Sequence, residues 1–257
     1  MSPLAVCAAL VFGGMSVLWL ISLPLRNASI VDTAWGLGFV LIAVAAAWTE
    51  TPLDPARWLV LAMVSIWGVR LAAYIGWRNR GHGEDFRYAE MRRSHGPAFA
   101  WKSLYIVFGF QALLMLVISA PLQAALADSR GGIEPLQWLG VGLWLIGFLF
   151  ETVGDWQLTR FKSDPANRGK VLDRGLWRYT RHPNYFGDAV VWWGLYIASV
   201  AIGAPWWTVF GPALMTFLVM RVSGVTLLER TLEKTKPAYA DYVERTSAFF
   251  PLPPRKT

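Results

Sequence analysis

Residues 3–25 read PLAVCAALVFGGMSVLWLISLPL, a stretch without a charged side chain, and a second apolar run follows after a short loop. A membrane-spanning helix needs about 20 mainly apolar residues. The chain contains seven stretches that meet or approach this requirement, at residues 3–25, 30–49, 57–77, 103–124, 135–154, 184–202 and 205–228. The sequence therefore predicts an all-α integral membrane protein with seven transmembrane helices.

The composition supports the same class of protein. Hydrophobic residues make up 55% of the chain and charged residues only 16%, against about 25% in soluble domains. The net charge of +7 would suggest a nucleic-acid partner in a soluble protein, but the basic residues lie in short loops between apolar runs. We therefore expect contact with membrane lipids and no nucleic acid. A single cysteine and three scattered histidines give no spacing typical of a metal site, so we predict none.

The basic residues also predict the orientation. Of the 24 Lys and Arg residues, 20 fall in the first, third and fifth loops and the C-terminal tail, whereas only Arg57 and Arg130 fall in the second and fourth loops. Because cytoplasmic loops are enriched in Lys and Arg, we expect the N-terminus outside and the C-terminus in the cytoplasm. We treat residues 1–257 as one membrane domain, and the sequence does not determine its oligomeric state.

The densest polar segment lies just before the sixth predicted span. It reads GLWRYTRHPNYFGD over residues 175–188. Pro183 suits the first turn of a helix, whose free N–H groups, with Arg178 and Arg181, would favour a phosphate or carboxylate. Asn184, Asp188 and Trp192 follow at a spacing that places them on one helix face. Polar groups inside an apolar helix indicate a functional site; a basic loop that binds lipid headgroups is the alternative.

The run Arg181-His-Pro-Asn-Tyr-Phe-Gly-Asp188, with Trp192 and a tail of the form Tyr242-(x)8-Pro251, resembles the C-terminal domain of steroid 5-alpha-reductases. The resemblance is specific over about residues 150–254, and it is closest to bacterial membrane proteins that carry this domain. It implies a multi-pass enzyme of the bacterial inner membrane that binds NADPH from the cytoplasmic side. It also implies the reduction of a carbon–carbon double bond conjugated to a ketone in a lipophilic small molecule.

The resemblance also implies site residues. Asn184, Asp188 and Trp192 match cofactor-contacting positions, and Asp32 lies near the place of the family's catalytic Glu. The family's catalytic Tyr falls at Trp67. The remaining cofactor contacts that we assign are Arg70, Asp155, Lys162, Arg178, Tyr179, Arg181, His182, Tyr185 and Glu229. The predicted donor to the substrate carbonyl is Asp32, because a carboxylic acid that burial keeps neutral can donate a hydrogen bond; a helix-capping role for Asp32 is the alternative.

Two other functions remain open on the sequence alone. The Arg-His-Pro-x-Tyr segment also occurs in isoprenylcysteine carboxyl methyltransferases, where it helps to hold S-adenosylmethionine. In that case Glu229 and Glu233 would supply the acidic stretch that follows the last span. A membrane scaffold or lipid-binding protein is the third possibility, although a scaffold would not need Asn184 and Asp188 to face inward.

Overall fold

The computed structural model describes residues 2–48, 52–128, 134–222 and 239–255. These residues are almost entirely helical and include no β-strand, which confirms the predicted all-α class. Within the same ranges, one isolated parallel bridge joins Thr180 to Ser247.

Eleven α-helices are defined within the described ranges, and short 3₁₀ or π segments connect several of them. They are α1 Pro3–Leu25, α2 Ile30–Trp48, α3 Pro55–Asn79, α4 Phe86–His95, α5 Phe99–Ser103, α6 Phe110–Ile118, α7 Ala120–Ala127, α8 Pro135–Ser163, α9 Pro183–Ala201, α10 Phe210–Phe217 and α11 Tyr239–Arg245. The π segments are Leu104–Gly109 and Leu218–Val222.

Five helical segments in the described part of the chain are long and apolar enough to cross a membrane. They are Pro3–Leu25, Ile30–Trp48, Pro55–Asn79, Phe86–Ile118 and Pro135–Ser163. These segments overlap the first five predicted spans, so the multi-pass membrane class is supported. The number of seven spans and their orientation stay predictions.

The fourth segment differs from its predicted bounds of 103–124. Its helix begins at Phe86, inside the stretch that we assigned to the third loop, because Asp85 caps it by accepting a hydrogen bond from the Arg87 N–H at 3.0 Å. The segment ends at Ile118, and α7 starts after Ser119 with Pro121 in its first turn. Proline lacks an N–H and restricts the residue before it, which accounts for the break.

The sixth predicted span, 184–202, coincides with α9, which is not among the five apolar segments. Asn184 and Asp188 lower the hydropathy of this helix. The seventh predicted span, 205–228, begins with a 3₁₀ turn at Trp206–Val209 and continues through α10 and the second π segment. Its last residues, 223–228, lie outside the described ranges.

The chain divides into two compact units, and the first comprises residues 1–137 and 199–208. Its helices α2 and α3 pack closely at Gly36 and Gly68, where a methyl group added to Gly36 would lie 2.3 Å from the Gly68 carbonyl oxygen. Only glycine permits this approach, which is how helices pack in lipid. Next to this contact, the rings of Phe39 and Trp67 are buried with centroids 5.8 Å apart.

The second unit comprises residues 138–198 and 209–257. Its helices α8 and α9 run antiparallel, because Gly140 lies opposite Gly194 and Gly147 lies opposite Gly187. A methyl group at Gly187 would come within 2.4 Å of the Glu151 backbone nitrogen. This close packing brings the polar ends of the two helices together.

The C-terminal tail of the second unit lies on the segment that precedes α9. The Tyr242 hydroxyl donates a hydrogen bond to the Trp177 carbonyl oxygen. The Leu252 N–H donates to the Tyr179 carbonyl oxygen at 3.0 Å, and the Thr180 hydroxyl donates to that of Phe249 at 2.8 Å. These bonds fix residues 239–255 against residues 175–182.

The predicted orientation can be tested with reporter fusions. A reporter that is active only in the cytoplasm should be active when fused at Thr257 and inactive when fused after Glu134, because the basic residues flank the cytoplasmic ends of the spans. The measurement is reporter activity normalised to the amount of fusion protein in membranes. Equal cytoplasmic activity at both positions would rule out the seven-span topology.

Candidate functional site

Two of the predicted site residues meet between α8 and α9. The Asn184 side-chain amide donates a hydrogen bond to the Asp155 carboxylate at 3.1 Å. Asp155 is only 4% exposed, and Glu151, one turn earlier on α8, is 3% exposed. Asn184 on α9 therefore contacts a buried carboxylate of α8.

The side-chain carbonyl oxygen of Asn184 is available to accept a hydrogen bond. The Oδ1 atom of Asn184 is buried and has no hydrogen-bond partner among the described residues. Buried polar atoms are nearly always paired, so an unpaired carbonyl oxygen suggests a ligand. A nicotinamide carries a carboxamide N–H₂ that can donate to it. The chemistry of Asn184 therefore fits the cofactor that the resemblance implies, and Trp192, two turns further on, is fully buried.

The segment before α9 divides into buried and exposed residues. Arg181 is 8% exposed and donates from its guanidinium to the carbonyl oxygens of Val243 and Thr246, while its backbone N–H donates to Ser247 at 2.9 Å. His182 is buried, and its ring stacks on Tyr185 at a centroid distance of 5.6 Å. Arg181 thus binds the tail, a role that its place in the sequence did not indicate.

The remaining predicted cofactor residues of this unit are less enclosed. Arg178, Tyr179 and Lys162 are exposed. Asp188 is partly buried and lies one turn after Asn184 on α9. Glu229 and Glu233 lie outside the described residues. The structure therefore brings Asp155 and Asn184 together and leaves the cationic residues Arg178 and Lys162 accessible to a solvent-borne anion.

The first unit contains the predicted catalytic acid in a polar cluster. Asp32, in the first turn of α2, accepts a hydrogen bond from the Tyr88 hydroxyl at 2.6 Å and pairs with the Arg87 guanidinium at 2.6 Å. The Tyr88 hydroxyl in turn accepts a hydrogen bond from the Gln111 amide at 3.1 Å. Both Asp32 oxygens are therefore engaged by side chains of the fourth helical segment.

Two acidic residues hold the loop before α4 against the start of α2. Glu84 accepts hydrogen bonds from the Ala28 N–H at 2.7 Å and, in a bidentate pair, from Arg92 at 2.8 Å. Burial alone would raise the pKa of Glu84, but these hydrogen bonds and the Arg92 charge outweigh it and lower the pKa. Burial likewise acts against Asp85, whose pKa is lowered by its hydrogen bonds to Arg87. Both carboxylates stay ionised at neutral pH.

The other two predicted residues of this unit lie on α3. Trp67, at the place of the family's catalytic Tyr, is fully buried against Phe39. The Arg70 guanidinium lies 5.3 Å from the centroid of the Tyr74 ring, a cation–π contact. Asp32 thus lies in a polar cluster, whereas the Trp67 ring packs against that of Phe39.

Arg87 and Tyr88 as partners of Asp32, and Gln111 as a partner of Tyr88, were not predicted from the sequence. The signal that could have identified them is the run Glu84-Asp-Phe-Arg-Tyr88, which combines both signs of charge with a phenol. A π segment, Leu104–Gly109, ends two residues before Gln111, and such segments are frequent at functional sites. Tyr88 is 5% exposed, so the cluster around Asp32 contains a buried phenol. The resemblance places a catalytic Tyr at position 67, where this chain has Trp67 instead.

Comparison with known proteins gives the family. A family model described as "Protein of unknown function (DUF1295)" matches residues 18–246, so the chain belongs to this family. An uncharacterized protein of Schizosaccharomyces pombe is 25% identical over 97% of this chain and 80% of its own length. No solved structure matches the chain significantly.

A partial similarity points to an activity. The 3-oxo-5-alpha-steroid 4-dehydrogenase 1 proteins of Homo sapiens and Macaca fascicularis are each 34% identical over 92 residues. The match covers 35% of this chain and 32% of each enzyme's length. The chain therefore spans about a third of these relatives, and the similarity suggests a membrane oxidoreductase.

Proposed function

We propose that this member of the DUF1295 family is a membrane reductase that uses NADPH to reduce a carbon–carbon double bond conjugated to a ketone in a lipophilic substrate. The substrate class includes molecules of steroid type. The observation that carries the proposal is the polar face of α9, where Asn184 binds the buried Asp155 and keeps its Oδ1 atom available. The partial similarity to 3-oxo-5-alpha-steroid 4-dehydrogenases supports the type of reaction.

The residues of the second unit suit the two ends of such a cofactor. Asn184 would accept a hydrogen bond from the nicotinamide amide, and Asp155 would hold the Asn184 side chain in place. The exposed guanidinium of Arg178 would bind phosphate, because a guanidinium matches phosphate oxygens in charge and geometry. When bound, NADPH would supply the hydride that reduces the β-carbon of the enone.

The chain's own contribution to the reaction concerns the carbonyl oxygen. Negative charge develops on this oxygen as the β-carbon is reduced, and a hydrogen-bond donor stabilises it. The Tyr88 hydroxyl donates a hydrogen bond to the Asp32 carboxylate, which also pairs with the Arg87 guanidinium. We propose Asp32, acting with Tyr88, as the donor: Asp32 would have to take up a proton before it presents one to the substrate carbonyl oxygen, whereas the Tyr88 hydroxyl already carries one. The proton that completes the α-carbon comes from water or from this pair.

The methyltransferase alternative is less well supported, because the partial similarity is to 3-oxo-5-alpha-steroid 4-dehydrogenases. Purified protein distinguishes the two. A ligand that binds only the folded state raises the thermal midpoint, so NADPH should raise it and S-adenosylmethionine should not.

We expect Asn184→Ala and Asp188→Ala to weaken NADPH binding by at least about tenfold, which corresponds to about 1.4 kcal/mol. Each change removes a polar group from the inward face of α9. The measurement is an NADPH titration followed by thermal midpoint or calorimetry on detergent-solubilised protein. Ser199→Ala is the matched control, because Ser199 is a buried polar residue near the other end of the same helix.

The control should bind NADPH like the parent protein, and all three variants should remain folded and extractable. Normal NADPH binding by Asn184→Ala or Asp188→Ala would show that the residue is a contact between helices with no role toward the cofactor. Stabilisation by S-adenosylmethionine but not by NADPH would overturn the proposed reaction.

A further inference from the structure

A cleft of about 850 Å³ lies within the second unit. It is bounded by the segment of residues 173–178, which precedes α9, and by the C-terminal tail. Its walls come from two separate parts of the sequence. They are residues Asp173, Arg174, Gly175 and Arg178 on one side and Tyr242, Arg245, Thr246, Pro253, Pro254 and Arg255 on the other. Of these residues, only Arg178 belongs to the predicted cofactor contacts.

The charge of the cleft is strongly unbalanced. Four of its lining residues are arginines, whereas Asp173 is the one carboxylate among those lining residues. The Asp173 carboxylate lies 3.9 Å from the Arg245 guanidinium, a distance too long for a hydrogen bond. Among the described residues that line the cleft, positive charge is therefore concentrated, and Asp173 neutralises it only in part.

Hydrogen bonds hold the backbone that carries Arg245 and Arg255 in place. The Arg255 N–H donates to the Arg245 carbonyl oxygen at 2.9 Å, so the last described residue of the tail is tied to α11. Tyr242 and Thr246 form a buried floor, with 3% and 6% of their surfaces exposed. The Tyr242 hydroxyl binds the Trp177 carbonyl oxygen and thereby joins the two walls. A site whose frame is already ordered loses less entropy when it binds a ligand.

We propose that this cleft binds a phosphate-bearing ligand, with a phosphomonoester or diphosphate group held by Arg174, Arg178, Arg245 and Arg255. Phosphate groups carry up to two charges each and several acceptor oxygens, and they accept bidentate hydrogen bonds from guanidinium groups. A singly charged carboxylate would leave most of the four arginines unpaired. The volume lies within the usual range of about 300–1,000 Å³ for small-molecule sites.

Two sources can supply this group, a nucleotide and the headgroup of an anionic phospholipid. The nucleotide source rests on the proposed function, because NADPH carries a phosphomonoester and a diphosphate. The lipid source does not depend on it. Phosphate binding by the cleft is common to both.

The test uses inorganic diphosphate as the probe and the full-length protein in neutral detergent. Binding is measured by calorimetry at two salt concentrations. The double variant Arg245→Ala/Arg255→Ala should bind diphosphate at least about tenfold more weakly and with a smaller dependence on salt. Arg168→Ala is the matched control, because Arg168 is an exposed arginine that does not line the cleft; it should bind like the parent protein.

Arg174→Gln provides a second test that leaves the tail intact, and it should also weaken diphosphate binding. Thermal midpoints show whether each variant is folded. A parent protein that does not bind diphosphate, or folded variants that bind it as tightly as the parent, would overturn the proposal.

Competition experiments identify whether a nucleotide or a phospholipid headgroup supplies the phosphate group. Displacement of diphosphate by NADPH points to the nucleotide. If NADH displaces it equally well, the cleft binds the diphosphate of the nucleotide, and if NADH fails, the cleft binds the phosphomonoester. Weaker diphosphate binding in nanodiscs that contain phosphatidate than in pure phosphatidylcholine points to the headgroup. Either result supports a phosphate site. Because diphosphate is not a hydride donor, its binding is independent of whether the protein is a reductase, so failure of one proposal is distinguishable from failure of the other.

Discussion

Replacing Asp32 by Asn is expected to lower turnover by about 10²-fold or more while NADPH affinity stays near that of the parent protein. An amide can accept a hydrogen bond from Tyr88 but cannot transfer a proton as a carboxylic acid does. The measurement is NADPH oxidation with a panel of lipophilic enones, including 3-oxo-4-ene steroids, together with an NADPH titration of the same preparation.

The contacts of Asp32 require a control for structural damage. Asp32→Asn also weakens the ion pair with Arg87, which links α2 to α4. Asp85→Asn is a suitable control, because Asp85 pairs with the same Arg87 side chain at 2.8 Å and has no proposed chemical role. If Asp32 acts only through this pair, the two variants should lose similar amounts of stability and of activity.

The Tyr88→Phe variant tests which of the two groups, the Asp32 carboxyl or the Tyr88 phenol, donates the proton. A large loss of turnover in both Asp32→Asn and Tyr88→Phe indicates a pair that acts as a unit. A loss in Tyr88→Phe alone assigns donation to the phenol. An Asp32→Asn variant that reduces its enone at close to the parent rate would exclude Asp32 and leave Tyr88, Trp67 or a water as the donor.

The parts of the fold that sequence predicted well are those that local rules determine. The apolar run of residues 3–25 matches α1, and the start of α9 was predicted from Pro183, whose fixed φ suits a first turn. The length of an apolar run and the position of a proline are local properties. They need no knowledge of distant contacts.

The helix that begins at Phe86 could not be predicted in the same way. Residues 86–95 are polar and have no apolar periodicity, so the pattern indicates a loop. This helix is stabilised by contacts with residues far away in sequence, because Glu84 binds the Ala28 N–H and Arg87 binds Asp32. The same contacts place Tyr88 beside Asp32, which explains why the phenol was missed.

The candidate site in the second unit was likewise predicted only in part from the sequence. The helical spacing of Asn184 and Asp188 placed both on one face of α9, and the resemblance assigned Asp155 as a cofactor contact; the hydrogen bond from Asn184 to Asp155 was not predicted. Arg181 was assigned to the cofactor because it is an arginine beside a helix start. Its observed hydrogen-bond acceptors are backbone carbonyl oxygens of the tail, and a sequence does not reveal backbone acceptors.

Arg181→Ala is therefore expected to destabilise the protein by about 3 kcal/mol or more, because hydrogen bonds to charged groups contribute about 1.5–3 kcal/mol each and the carbonyl oxygens of Val243 and Thr246 would lose their donor. The measurements are the thermal midpoint and the rate at which a protease removes the tail. Arg178→Ala is the matched control: Arg178 is exposed, so its variant should keep the parent midpoint and only weaken NADPH binding. An Arg181→Ala variant with the parent midpoint and a protected tail but weakened NADPH binding would instead make Arg181 a cofactor ligand.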